Sequence, residues 1–416
     1  MKPVGIALVV GVLLSLLPAQ AAFRAGVAVR VVTPDPLLPV SGGMGPTHPV
    51  REKRGELTVR ALVFENDGVR VGFVSADFLG FPAVLGDRVR ARVTGLPGDH
   101  LLIGATHTHS APEPYAFPDG QGGTTADLKY LDSVVAKMAA AVDEAVAGLK
   151  PAALKVATGE AKGKIAYNYY APDLYDPRAS VLQAVGTDGK PFATLVNYAV
   201  HPEVIGSGRG ICSPDLVGPL YDRLAAAGGG TGIFMNGAQG GMVTADNRRP
   251  EGEANSWEEC IRIGTLLADE SLRLLQSAPV QADPRLKVLV REVKFPVESP
   301  LMLAVLKASP LGYKTDADGQ ITTRLHVVGL GNAQILTIPG EALPNIGYYL
   351  KRKMRGEHNL LFGLTNDAFG YILTAVDWNS FKRYEYVSRT SLGERTGEIF
   401  IAEALKLVAE AGGPGK

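Results

Sequence analysis

Two cysteines, Cys212 and Cys260, and two tryptophans are all that the 416-residue sequence has of either type. Two cysteines cannot build the disulfide framework that small secreted domains lean on, so the fold must rest on packing. At most a single Cys212–Cys260 bridge is open to the chain, and an oxidising compartment would permit it. Charge of one sign is absent as well: Lys plus Arg and Asp plus Glu both number 42. That balance leaves no long-range field to gather nucleic acid or anionic lipid. Internal repeats, charge blocks and low-complexity linkers are missing too. Past the N-terminus no apolar stretch is long enough to cross a bilayer.

What is present is a large apolar fraction, 46% of residues, with 49 glycines and 28 prolines spread as turn punctuation. The N-terminus reads as an export signal. Met1-Lys2 precedes an apolar run from Val4 to Leu17, and Pro18-Ala19-Gln20-Ala21-Ala22 offers small residues for a cut after Ala21 or Ala22. Residues 1–22 are therefore expected to be a signal peptide and 23–416 a single domain, secreted or periplasmic. Roughly 390 residues suffice for one large core.

Hairpins recur along the chain. Val59 to Glu65 turns at Asn66-Asp67-Gly68 into Val69 to Ala76. Ser180 to Gly186 turns near Asp188-Gly189 into Phe192 to Val200. His326 to Leu330 turns at Gly331-Asn332 into Gln334 to Ile338. Apolar runs at Leu101–Thr106, Gly232–Met235 and Leu360–Leu364 add three strands. Three- and four-residue apolar spacing predicts helices over Pro82–Val93, Ala126–Leu149, Leu216–Ala227, Ser256–Leu275, Ala342–Lys353 and Gly393–Glu410. The expected class is α/β, with mixed sheets built from hairpins and flanked by helices.

Most strands stop on a polar residue, where α/β proteins place their sites. Among these stops His107-Thr108-His109-Ser110 is the most informative. Side chains alternate along an extended chain, so His-x-His at a strand end aims two imidazoles into one pocket. Neutral imidazole ligates zinc, and a second imidazole beside it can carry protons. Of seven histidines, His48, His100, His326 and His358 read as structural. His201 closes the run Thr194–Val200 and is a candidate second ligand. Glu341, after Pro339-Gly340, suits either an anionic third ligand or the first turn of the helix that follows. The glycine-rich stretch 237–241 lacks the Lys-Ser/Thr of a phosphate loop.

These stretches together resemble the catalytic domain of neutral, non-lysosomal ceramidases. Met44 with its glycines, Val74-Ser-Ala-Asp77, Ala105-Thr-His-Thr-His-Ser110, Asn197-Tyr-Ala-Val-His201, Pro339-Gly-Glu341 and the Asn366–Glu385 segment match in order. The resemblance implies a zinc amidase acting on N-acylsphingosines or related lipid amides. It implies Zn2+ on His107, His201, Glu341 and Tyr371, His109 as proton carrier and Tyr384 as donor to the oxyanion. Substrate contacts would fall to Asn168, Gln239 and Gly240.

The departures are also legible. Gly237-Ala-Gln-Gly240-Gly241 replaces the family's Gly-Asp-x-Ser-Pro, so Gly240 stands where a serine is expected. Asn168-Tyr169 replaces an Asn-Arg pair, and no immunoglobulin-like segment follows Glu410. Two other readings compete: a non-catalytic binding protein on the same scaffold, and an amidohydrolase-type barrel, which would need eight strand–helix alternations.

Overall fold

The computed structural model describes residues 23–413; the signal-peptide reading of 1–22 lies outside them. Between these limits the chain lays down one topology three times. The first unit runs β1 (Arg24–Val31), β2 (Thr58–Asn66), β3 (Val69–Ala76), α1 (Ala83–Arg90), β4 (Leu101–Ala105) and α2 (Leu128–Ala147). The second runs β5 (Lys150–Glu160), β6 (Arg178–Gly186), β7 (Pro191–Tyr198), α3 (Val217–Ala226), β8 (Thr231–Asn236) and α4 (Trp257–Leu275). The third begins with β9 (Leu286–Pro296) and admits an extra helix, α5 (Pro300–Ala308), before β10 (Gln320–Leu330). It continues with β11 (Ala333–Thr337), α6 (Pro344–Lys353) and β12 (His358–Phe362), then α7 (Glu385–Arg389) and α8 (Thr396–Ala411).

In each unit the first three strands pair antiparallel in chain order, and the fourth lies parallel to the third across a helical crossover. A short antiparallel match of Arg24 and Ala25 with Pro151 and Lys150 fuses the first two units into one sheet, β8-β7-β6-β5-β1-β2-β3-β4. A ninth strand, Val280–Gln281, is added on β5. The third unit keeps its own sheet, β9-β10-β11-β12.

Local chemistry accounts for the elements. Asp67 and Gly68 both take positive φ (48° and 77°), the type I′ turn that matches strand twist. The side chain of Asp127 accepts the Tyr130 N–H, and that of Ser256 the Glu259 N–H, capping α2 and α4. Alternation then divides the core. In β2, Leu62 and Phe64 face a central cluster, while Val59, Ala61 and Val63 face α1 and α2. β7 sends Ala193 and Leu195 to the same centre and Val196 and Tyr198 outward to α3 and α4. β11 and β12 do likewise with Ile335, Leu360 and Phe362. The fused sheet and the four-stranded sheet thus bury their inner faces against each other, and helices cover the outside. Strands covered on both faces read as the continuous apolar runs seen in the sequence.

The α/β class and the six anticipated helices hold. The eightfold barrel is excluded, since the strands form open mixed sheets. A threefold repeat exists after all, in topology rather than in residues. β1, β5 and β9 escaped the sequence reading, and His326 sits inside β10 rather than at its start. Cys212 and Cys260 are buried and free, so the permitted bridge does not form.

Candidate metal centre

Each unit delivers a polar side chain from the C-terminal end of its parallel strand pair. His107 and His109 follow β4, His201 follows β7, and Glu341 follows β11. Tyr371 arrives through a two-residue parallel bridge that sets Glu341 directly opposite it. Close backbone approach makes this bridge glycine-dependent. A Cβ on Gly340 would lie 2.4 Å from the Gly370 carbonyl oxygen, and one on Gly370 would lie 2.1 Å from that of Thr390.

Backbone carbonyls orient the imidazoles. His107 adopts φ 74°, a strained value for a non-glycine residue. Its N–H donates to the Phe78 carbonyl at 2.9 Å, and its Nδ1 to Leu79. His201 gives both its N–H (2.8 Å) and its Nδ1–H (2.7 Å) to the Val243 carbonyl. With Nδ1 engaged, Nε2 of each ring is the nitrogen offered inward. Glu341 Oε2 lies 3.2 Å from His201 Nε2 and 3.5 Å from His107 Nε2. His109 holds Nδ1 3.2 Å from Glu203 Oε2, while its buried Nε2 has no partner. His107, His109 and His201 each place one ring nitrogen within 4.8 Å of the others.

Burial pushes His107 and His109 down to about 3. Burial also opposes a charged His201, but its bond to Glu341 and the charges of Glu203 and Glu341 prevail and raise it to about 9. Burial would raise Glu341; His107, His201 and the Tyr371 hydroxyl outweigh it and hold the carboxyl below its usual range. Two imidazole nitrogens and a carboxylate thus converge on one point. A divalent cation there would compete with the proton that His201 shares with Glu341. The donor set and the orphaned His109 Nε2 fit such an ion.

A cavity of about 650 Å³ opens from this centre. Its lining includes His107, His109, Glu341, Tyr371 and Tyr386 together with an apolar set, Met302, Val305 and Leu306 of α5 and Ile321, Phe369 and Leu392. Volume and lining match a small-molecule site.

The remaining expected residues sit elsewhere. Asn168 is spent on its own turn: Nδ2 donates to the Leu174 carbonyl and Oδ1 accepts from the Tyr170 and Ala171 N–H groups. Gln239 is fully buried, and neither amide atom is hydrogen-bonded. Gly240 lies beneath Glu341, where its N–H donates to the Ala342 carbonyl at 2.9 Å. None of the three is on the cavity wall. Tyr384 packs against Phe381 and Tyr170, ring centroids 5.3 and 5.7 Å away, and Tyr386 is the one that lines the cavity. Burial and the nearby Glu341 charge push the Tyr386 phenol up to about 12.

Gly240 explains its own identity. A Cβ there would lie 2.2 Å from the Glu341 carbonyl oxygen and 2.7 Å from its carbon. Gly240→Ser is thus expected to displace Glu341 and to cost about 1–3 kcal/mol of stability through overpacking. Thermal unfolding and metal titration of the variant check this; unchanged stability with full metal affinity would refute it.

No family model and no curated protein matches the sequence. Solved structures do. A crystal structure of neutral ceramidase from Pseudomonas aeruginosa superposes with a TM-score of 0.76 at 16% identity, covering 94% of this chain and 75% of that one. A second structure, a ceramidase complexed with C2, gives 0.77 at the same identity and coverage. The chain has the neutral ceramidase fold.

Within the ceramidase fold, sequence reasoning missed four contributors. Glu203 was signalled only by an acid two residues past His201. Tyr386 was masked by Tyr384, which fits the motif better. The carbonyls of Leu79 and Val243, which orient the imidazoles, leave no side-chain signature at all.

Proposed function

We propose that the protein is a zinc-dependent hydrolase of linear lipid amides, of the N-acylsphingosine kind. The observation that carries this reading is the juxtaposition of a buried His107–His201–Glu341 cluster with an apolar cavity, in a ceramidase fold. The basic-then-apolar stretch 1–22 supports an exported enzyme.

His107, His201, Glu341 and Tyr371 would hold the ion. Zinc in such a donor set supplies polarisation of a carbonyl and activation of water near neutral pH. The protein's own groups do the rest. His109 Nε2, bare and buried, takes the proton of the attacking water and returns it to the leaving amine as the C–N bond breaks. Glu203 keeps that nitrogen free by accepting the Nδ1–H. The Tyr386 hydroxyl, kept protonated, donates to the oxygen that gains charge as the new C–O bond forms. Met302, Val305, Leu306 and Phe369, all lining the cavity, would exclude water from an acyl chain lying against them.

A second reading draws support from Asn168, which is locked in a turn, and from Gly240, which carries no hydroxyl. On that reading the protein binds a ligand without cleaving it. Metal analysis of the purified protein, beside hydrolysis of a short-chain fluorogenic N-acylsphingosine, decides between them. About one zinc per chain with turnover is the expected result. Zinc without hydrolysis of any N-acyl amide or ester would favour the binding protein, and absence of metal would overturn both.

A further inference from the structure

On and around the segment that leads to Tyr386, a residue of the cavity wall, the protein leaves bulky apolar side chains in water. Val376 is 84% exposed, Phe381 64% and Tyr169 55%. Tyr169 and Phe381 are joined by a chain of rings. Tyr169 lies 5.9 Å from Tyr170, Tyr170 lies 5.7 Å from Tyr384, and Tyr384 lies 5.3 Å from Phe381, centroid to centroid. Trp378, between Val376 and Phe381, packs on the layer beneath, which includes Leu373, Tyr384 and Val387. Singly exposed apolar residues are ordinary, whereas a contiguous group backed by buried rings marks an interaction site.

The segment that carries them is held in place. The Thr374 hydroxyl meets the Asp377 carboxylate at 3.0 Å, the Asp377 N–H reaches the Thr374 carbonyl, and the Asn379 N–H reaches the Ser388 hydroxyl at 2.9 Å. Val376 and Phe381 are therefore presented outward by an ordered turn. Lys382 and Arg383, both exposed, follow Phe381 directly, and neither forms an ion pair among the described residues. Aromatic side chains with cations beside them are the composition that settles at the headgroup level of a bilayer. The patch also joins the site. Tyr371, a candidate ligand, belongs to the same buried layer, and Tyr386, two residues past Tyr384, lines the cavity.

We propose that this rim is a membrane-docking surface: Val376, Phe381 and Tyr169 enter the interface of a lipid bilayer while Lys382 and Arg383 meet its phosphates. Docked in this way, the cavity mouth opens at the level of the acyl chains. This delivery role rests on the lipid-amide reading above; docking itself does not. With 42 charges of each sign the chain has no long-range attraction to a membrane, so attachment is led by apolar contact and only strengthened by anionic lipid.

The test is flotation of the full protein with vesicles of phosphatidylcholine alone and with a minority of phosphatidylglycerol. Wild type is expected to float with both, more strongly with the second. The double variant Val376→Ser/Phe381→Ser should lose partitioning about tenfold or more, and Lys382→Gln/Arg383→Gln should lose only the anionic increment. Both pairs are exposed, so folding is not at stake. The Val376→Ser/Phe381→Ser protein should cleave a water-soluble short-chain amide at the wild-type rate and a vesicle-embedded one far more slowly. No partitioning of wild type, or equal partitioning of the apolar variant, would overturn the proposal. Concentration-dependent dimerisation abolished by the same variant, without flotation, would overturn it in favour of a contact between two copies. Flotation with no hydrolysis of any amide would leave docking standing and remove the enzymatic reading instead.

Discussion

Glu341→Ala is expected to empty the centre of metal and abolish hydrolysis together. The carboxylate is the anion that lies against Nε2 of both His107 and His201, and three protein donors are the usual minimum for a catalytic zinc. Its loss also strands His201. Removing one partner of a buried charged pair costs on the order of 3–5 kcal/mol, so the variant should also unfold at lower temperature. The pH dependence separates the two effects. His201 is raised from 6.5 to about 9, so its contribution to the metal-free protein is full below pH 6.5 and disappears as pH rises through about 9. Glu341 is lowered from 4.5, so its contribution is full above pH 4.5 and is lost as pH falls below that. Metal-free wild type should therefore exceed metal-free Glu341→Ala in stability most between these limits, and the gap should close above pH 9. Metal affinity should follow the opposite slope at its acid end, because protons and the cation compete for His201. Calorimetry of both proteins in chelator, and zinc titration across that range, measure it. A variant that keeps one zinc per chain would remove Glu341 from the ligand set.

His109→Ala should behave differently. Its Nε2 has no partner, and its Nδ1 is committed to Glu203. Metal content is expected to stay near the wild-type value while kcat falls by a factor of roughly 100 to 10,000, the range for a positioned proton carrier. Glu203→Gln, which alters only the group holding the ring, should lower kcat by about 10- to 100-fold with little change in KM. Should His109→Ala lose the metal instead, His109 would join His107 and His201 as a third nitrogen ligand, an arrangement the 4.8 Å grouping permits. The proton would then need another carrier.

Where sequence reading succeeded, the signal was local. Type I′ turn residues, alternating or continuous apolar runs and helix caps act within a few positions of one another, so β2, β3, α2 and α4 could be read directly. The His-Thr-His strand end, the Val-His201 stop and Pro339-Gly340-Glu341 were legible for the same reason. Each is a strand terminus with a polar residue that a core would otherwise reject. The strands β1, β5 and β9 were not legible, because what makes them strands is the edge they pair with. The threefold repeat was hidden because topology is fixed by which faces are apolar, and many residue choices satisfy that demand.

The sequence alone determined that the chain is an α/β protein with a strand-end cluster of histidines and a carboxylate. These features depend on the spacing of side chains along the backbone. Only the tertiary structure decided that residues 107, 201 and 341, one from each unit, meet, with both imidazoles within 3.5 Å of a single Glu341 oxygen. Only it placed Tyr386 rather than Tyr384 on the cavity wall, seated Glu203 against His109, and turned Asn168 inward. The reason is physical. Contacts between distant segments are set by how the three units pack the inner faces of their two sheets into one centre, and no spacing along the chain encodes that distance.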